Sequence, residues 1–327
     1  MNGCARRRLL FAGLGLIGAF AGAVALAQSY PVRPVRIIVP FPPGGGADNL
    51  GRIVGQKLSE QWGQQVVIDN RVGAGGNVGT ALAARAAPDG YTLAVTSTGI
   101  MAINPFLYAQ IPYDPLKDFA PVSMGIFFPH VIVMHPSIPV KTVADLLKLA
   151  KARPGEITYS SAGVGTPNHL AGELINTMTG VKLLHVPYKG TGPQIVAVLG
   201  GEVALSISPF PPALPHVKSG RLRALAVTTL KRVAQAPEVP TADESGLKGF
   251  EVIAWNAFLA PAGIPNDILA KLNADIVHVL GLPEVKARFA ADGSDPWGTT
   301  PEEFGRLIRA EMDKWGKVVR ASGARAE

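Results

Sequence analysis

Short runs of branched apolar residues alternate along this chain with segments whose apolar positions recur every three or four residues. The first such pair spans Arg36 to Trp62. Ile37-Ile38-Val39 predicts a buried strand, and Leu50, Ile53, Val54 and Leu58 predict one face of a helix. Between them lies Pro40-Phe41-Pro42-Pro43-Gly44-Gly45-Gly46-Ala47-Asp48, a stiff proline turn running into a glycine bend. Asp48 has the chemistry of an N-cap. Three glycines let backbone amides face a ligand with no Cβ in the way, and a helix start favours an anion. The same stretch also reads as a plain tight connection.

The alternation continues. Val66-Val67-Ile68 predicts a second strand, followed by a glycine bend over 69–79 and an alanine-rich helix over 80–87. A third strand over 91–96 ends in Thr96-Ser97-Thr98-Gly99, which offers hydroxyls and amides where α/β sheets bind ligands. A proline-punctuated surface segment covers 111–121, and strand character resumes over 122–134. Thr142 caps a helix carrying Val143, Leu146, Leu147 and Ala150.

Then the opening device returns. Ser160-Ser161-Ala162-Gly163-Val164-Gly165-Thr166-Pro167 is again strand end, glycine bend and helix start, with Thr166 as cap and Pro167 in the first turn. Leu170, Leu174, Ile175 and Met178 are its expected buried face, and His169 is expected beside whatever the bend binds. Further on, a helix is expected over 193–199 and a strand over 203–207. Ser208-Pro209-Phe210-Pro211-Pro212 is expected as a stiff loop, with strands over 222–228 and 252–259. Helices are expected over 266–280, 283–291 and 301–322. Trp297 and Trp315 are expected in the core or between helices. Two glycine bends more than a hundred positions apart imply two lobes, each presenting a helix N-terminus, with an anion held between them by amides and no arginine clamp.

Composition sharpens this picture. The 327 residues allow about two domains, and 47% hydrophobic with 17% charged residues describes a globular chain. The net charge of +7 includes Arg6, Arg7 and Arg8. These form the basic start of an export leader that continues through the apolar run 9–24 to the small-x-small site Ala25-Leu26-Ala27. Cleavage there leaves a mature chain starting at Gln28, and removing the three arginines from +7 leaves +4. That is too mild for nucleic acid. An uncleaved anchor is the alternative reading, and the adjacent arginines also suit twin-arginine export. Cys4, the one cysteine, lies within the leader, so disulfides and thiolate chemistry are excluded from the mature chain.

Catalytic signatures are absent. There is no G-x-S-x-G elbow, no phosphate loop ending in Gly-Lys-Ser/Thr and no H-E-x-x-H. Gly73-x-Gly75-x-x-x-Gly79 misses the dinucleotide spacing by one. His169 and Glu173 lack a third metal ligand. Neither metal nor cofactor is expected.

In order, Pro40 to Asp48, Asn70 to Gly79, Ile111-Pro112-Tyr113-Asp114-Pro115-Leu116-Lys117-Asp118-Phe119, Gly163 to Glu173, His185-Val186-Pro187-Tyr188-Lys189-Gly190 and Ala213-Leu214-Pro215-His216 resemble the Bug-type receptors of tripartite tricarboxylate transporters. The resemblance covers the mature chain. It implies an α/β, two-lobed Venus-flytrap fold, each lobe a sheet flanked by helices, with crossings near Gly125 and Trp255. One lobe then comprises 28–125 and 256–327, and the other 126–255. It implies an exported, monomeric periplasmic receptor, not an enzyme, that passes a small carboxylate to two integral membrane subunits. The amides of Gly44, Gly45, Gly46, Gly163 and Gly165 and the hydroxyls of Ser97, Thr98, Ser161 and Thr166 are the expected contacts. Phe41, Asp48, Asn77, His169, Tyr188 and Ser208 complete the candidate set. At the position aligned with Ser208 the family commonly carries an aspartate suited to an ammonium group, so its absence favours an amine-free mono-, di- or tricarboxylate. A sensory receptor and a hydrolase on the same fold are the competing readings.

Overall fold

The computed structural model describes residues 30–326, and the leader expected over 1–27 lies outside them. The first half is built as the hydrophobic pattern requires. Strand β1 (Val35–Val39) leads into helix α1 (Gly46–Trp62), and β2 (Val66–Asn70) pairs parallel beside β1. A tight turn over Ala74–Gly76 enters α2 (Asn77–Ala84), and β3 (Thr92–Ser97) pairs parallel on the other side of β1. A wide helical turn at Gly99–Ile103 and the short α3 (Asn104–Leu107) follow.

Strand β4 (Phe119–Met134) is long, at 16 residues. Helix α4 (Val143–Ala152), β5 (Thr158–Ser161), α5 (Pro167–Thr179), β6 (Leu184–Pro187), α6 (Thr191–Leu199), β7 (Leu205–Pro209), α7 (Phe210–Lys218) and β8 (Arg223–Val227) come next. The chain returns through β9 (Ile253–Pro261). It ends with α8 (Asn266–Gly281), α9 (Pro283–Ala291), the two-residue β10 (Asp295–Pro296) and α10 (Pro301–Ser322).

The strands run β2-β1-β3-β9-β4-β7-β5-β6, with β8 and β10 also pairing with β4. Along β4 the partner changes. Phe119 to Pro129 pair antiparallel with β9, whereas His130 to Met134 pair with β7 and Val131 to Met134 with β8. Thus β4 and β9 join two sheet regions. One core gathers β1, β3, α1 and α8 around Leu50, Val54 and Phe258, and another gathers β5, α4 and α5 around Tyr159, Leu170 and Ile207. Helix α10 contributes Phe304 and Ile308 on the first side and Trp315 and Val319 on the second.

Several elements differ from expectation for local reasons. Helix α2 starts at Asn77, three residues early, because Gly76 at φ +97° ends the preceding turn. Strand β4 starts at Phe119, inside the expected surface segment. Phe210 opens a helix and not a loop, since prolines in a first turn cost no hydrogen bond. Met178 is 41% exposed. Gly172 packs so closely on Tyr159 that a Cβ there would lie 2.3 Å from the ring, which turns the buried stripe of α5 toward Ala171 and Gly172. Trp315 is fully buried, but Trp297 is half exposed, its ring edge-on to Phe127.

Candidate functional site

The two glycine bends face one another across a cleft. Its inner chamber, about 340 Å³, is lined from one side by Phe41, Ser97, Thr98 and Gly99 and from the other by Val164, Gly165, Thr166 and Pro167. A wider outer chamber of about 920 Å³ lies between the Gly44-Gly45-Gly46 bend and Ala162, Gly190 and Thr191. A third, about 360 Å³, lies between Gly46, Asn49, Phe289 and Asp292 and the segment with Asn168, Pro209, Pro211 and Pro212. Phe128, on β4, borders all three. Asn256, on β9, borders the first two, and its Nδ2 donates to Thr96 O at 3.2 Å.

Helices α1, α5 and α6 therefore begin at the cleft. The N-cap of α1 is Gly45, not Asp48. Asp48 lies inside the first turn, 2% exposed, and its carboxylate accepts from Gly44 N at 2.9 Å, Arg52 Nε at 2.8 Å and Asn70 Nδ2 at 2.9 Å. Burial pushes its pKa up, but these donors outweigh it and hold the carboxyl below the usual range. Asp48 thus spends the Gly44 amide and props the bend. The amides of Gly45 and Gly46 have no partner among the described residues. A Cβ at Gly46 would sit 3.1 Å from the Phe128 ring and 3.5 Å from Asn256 Oδ1, so the bend hugs the cleft floor.

The second bend is also held from behind. Thr166 caps α5 as expected, accepting from His169 N, with Pro167 in the first turn. His169 does not reach the cleft. It is 6% exposed, stacks on His185 and accepts from Gly165 N through Nδ1 at 3.0 Å. Ser161 Oγ accepts from Gly163 N at 3.1 Å and lies 2.6 Å from His185 Nε2. The Gly163 and Gly165 amides and the Ser161 hydroxyl are therefore engaged within the bend.

Ser97 and Thr98 line the inner chamber. Thr98 Oγ1 accepts from Trp255 N at 3.0 Å and Ser97 Oγ from Ile100 N at 3.4 Å, which leaves each hydroxyl proton free to donate. Asn77 is buried behind the cleft, receiving bonds from Asn104 Nδ2 and Tyr113 Oη. Tyr188 donates to Glu202 at 3.3 Å, outside the three chambers. Ser208 is fully buried, paired in register with Val131, with its Oγ unpartnered, and lines none of the three.

Sequence reasoning missed Phe128, His130, Asn168, Thr191 and Asn256. Only Gly190-Thr191-Gly192 carried a glycine signal. His130, on β4, is 1% exposed with Nδ1 unpartnered, and burial lowers its pKa to about 4. No lysine or arginine lines any of the three chambers. An anion here would meet amides, hydroxyls and helix N-termini, each helix start contributing about 0.3–1 kcal/mol and at most about 2. No described residues form a cluster able to hold a metal ion.

A family model described as "Tripartite tricarboxylate transporter family receptor" matches residues 50–324. Protein BugT of Bordetella pertussis (strain Tohama I) is 40% identical over 319 residues, 97% of this chain and 98% of its own. The solved structure of R. palustris Rpa4515 with adipate superposes with a TM-score of 0.77 at 38% identity, covering 90% of this chain and 99% of that one. MatC from Rhodopseudomonas palustris with bound malate gives 0.72 at 32%, covering 89% and 100%. These likenesses bear out the α/β, two-lobed periplasmic-binding-protein fold expected from the sequence.

Proposed function

The chain belongs to the tripartite tricarboxylate transporter receptor family, and from that premise we propose that it is a periplasmic substrate-binding receptor for a small, amine-free carboxylate. The observation that carries this reading is the cleft itself: unspent amides at Gly45 and Gly46 and donor hydroxyls at Ser97 and Thr98, with no cationic side chain on the walls. The amides line the outer chamber and the hydroxyls the inner one, so an anion in the cleft meets dipoles and hydrogen-bond donors in either. No carboxylate lines the inner or the outer chamber to receive an ammonium group. Asp292, in the third chamber, is the single acid among the lining residues of the three.

In this reading one lobe comprises 28–125 with 256–327 and the other 126–255, and β4 and β9 are the crossings. The partner change along β4 between Pro129 and His130 supports a hinge there. Ligand contacts made from both sides would favour the closed form. The leader exports the chain, it acts as a monomer, and the closed receptor hands its ligand to two integral membrane subunits without chemical change. No described helix is long and apolar enough to cross a membrane itself.

Native mass spectrometry of the protein as purified, repeated after denaturation, tests the reading. The expected result is an added mass matching an organic acid, or one acquired on adding such acids, that is lost on denaturation. A protein that takes up no carboxylate from a broad panel would overturn it.

A further inference from the structure

The three chambers touch one another pairwise. The inner and third meet along Pro167 and Ala254, the inner and outer along Phe41 and Asn256, and the outer and third at Gly46. Among the described residues Phe128 alone borders all three. Its ring therefore stands at the junction and flanks both ways out of the inner chamber into its neighbours.

That position follows from the sheet. Successive residues of a strand point to opposite faces, and Ile126, Phe128 and His130 share the face that lines the third chamber. Phe128 pairs with Ala254 on β9, and by His130 the partner of β4 has changed to β7. The ring thus lies where the two sheet regions divide. Its closest neighbours are small. Ala254 stands opposite in register, and the Gly46 backbone approaches so near that a Cβ there would lie 3.1 Å from two ring carbons. The ring is half-buried, packed against the first glycine bend on one side and facing the chambers on the other.

We infer that Phe128 is the residue that limits ligand length, a partition confining the bound molecule to the inner chamber. This rests on the receptor reading and names a specificity determinant within it. The inner chamber holds about 340 Å³ and the third about 360 Å³. A ligand anchored at the Ser97 and Thr98 hydroxyls that outgrows the first space must pass the ring by either route. With the ring in place the added methylenes overpack a filled space, which is penalised. With the ring removed they reach a chamber whose walls include Ile126, Pro209, Pro211 and Phe289, apolar surface that favours each methylene taken out of water.

Isothermal titration calorimetry tests this with linear monocarboxylates from butanoate to decanoate and linear dicarboxylates from succinate to sebacate. In the wild type, affinity along a series should pass through an optimum and fall about tenfold or more once about two further methylenes are added. In Phe128→Ala the optimum should move to a chain longer by about two methylenes or more, with Phe128→Leu in between. Should Phe128→Ala fail to fold, Phe128→Leu must still lengthen the optimum. A wild type that binds decanoate or sebacate as tightly as its best shorter homologue overturns the inference. So does a variant that keeps the wild-type optimum, or one that loses affinity alike at every length, as a ring of structural importance only would. Each of these leaves the receptor reading intact, as does binding of some other carboxylate but of neither series, which again overturns the inference. No binding of any carboxylate overturns both.

Discussion

His169 and His185 stack with ring centroids 3.8 Å apart, and each holds a different part of the same glycine bend. His169 Nδ1 receives the Gly165 amide, and His185 Nε2 lies against the Ser161 hydroxyl that receives the Gly163 amide. Tyr159 closes the group, tilted against His185 and donating to His169 O at 3.0 Å. The bend is thus shaped by two neutral imidazoles behind it. A proton on His169 Nδ1 would remove the acceptor for Gly165.

That dependence gives a pH signature. Burial lowers the pKa of His169 to about 3, with the nearby His185 adding to the shift; burial alone lowers His185 to about 4, and burial lowers His130 to about 4 against the opposing contact of the Asn168 side chain. Unfolded histidine titrates near 6.5. Between those values the unfolded chain binds protons that the folded chain refuses, so stability is full above about pH 6.5 and falls as pH drops. At pH 5 the deeply buried His130 and His169 should each cost about 2 kcal/mol. Glu251 and Asp295, raised by burial, act in the opposite sense. The thermal midpoint should fall by about 5–10 °C from pH 7 to pH 5; a flat midpoint would contradict the neutral pair.

Neighbouring glycines of the first bend should respond differently to alanine. A Cβ at Gly45 meets nothing within 4 Å, whereas one at Gly46 meets the Phe128 ring at 3.1 Å. Gly45→Ala should keep the wild-type thermal midpoint to within about 1 °C, a surface change being worth about ±0.5 kcal/mol. Gly46→Ala should push Phe128 into the cleft and weaken carboxylate binding about tenfold or more, a loss of about 1.4 kcal/mol. Calorimetry on both variants checks this, and equal affinities would refute the placement of the site.

Asp48 should matter for stability and binding together. Asp48→Ala removes the one acceptor that ties Arg52, Asn70 and the Gly44 amide together. Denaturant unfolding should show a loss of about 2–4 kcal/mol. A loss under about 0.5 kcal/mol would mean that the bend holds its shape without this carboxylate.

Gly165 should tolerate no side chain. Its φ is +76°, and a Cβ would fall 2.1 Å from Leu107 Cδ2. Gly165→Ala should cost at least about 2 kcal/mol by the same unfolding assay, since strain and overpacking act together. Combining it with Leu107→Ala should recover part of that loss; no recovery would place the cost in the backbone alone.

Legibility in the sequence followed the range of the interactions. Thr142 and Thr166 could be read as helix caps because capping involves residues three apart. Asp48 misled because an acid suits both the cap and the first turn, and only the three-dimensional partners Arg52, Asn70 and Gly44 decide between them. The glycine bends were legible as features, but not that His169 and Asp48 would spend the Gly165 and Gly44 amides. Phe128, His130 and Asn256 were invisible as site residues. They lie on strands whose role depends on the pairing of β4 with β9 and β7, a relation between positions more than seventy residues apart.

The most direct test of the central claim is an amide-resolved nuclear magnetic resonance titration of the ¹⁵N-labelled protein with a saturating carboxylate ligand. If backbone donors hold the anion, the Gly45 and Gly46 cross-peaks move strongly downfield, while those of Gly44 and Gly165, already bonded to Asp48 and His169, move little. Saturation with the Gly45 and Gly46 resonances unmoved would show that the carboxylate binds elsewhere.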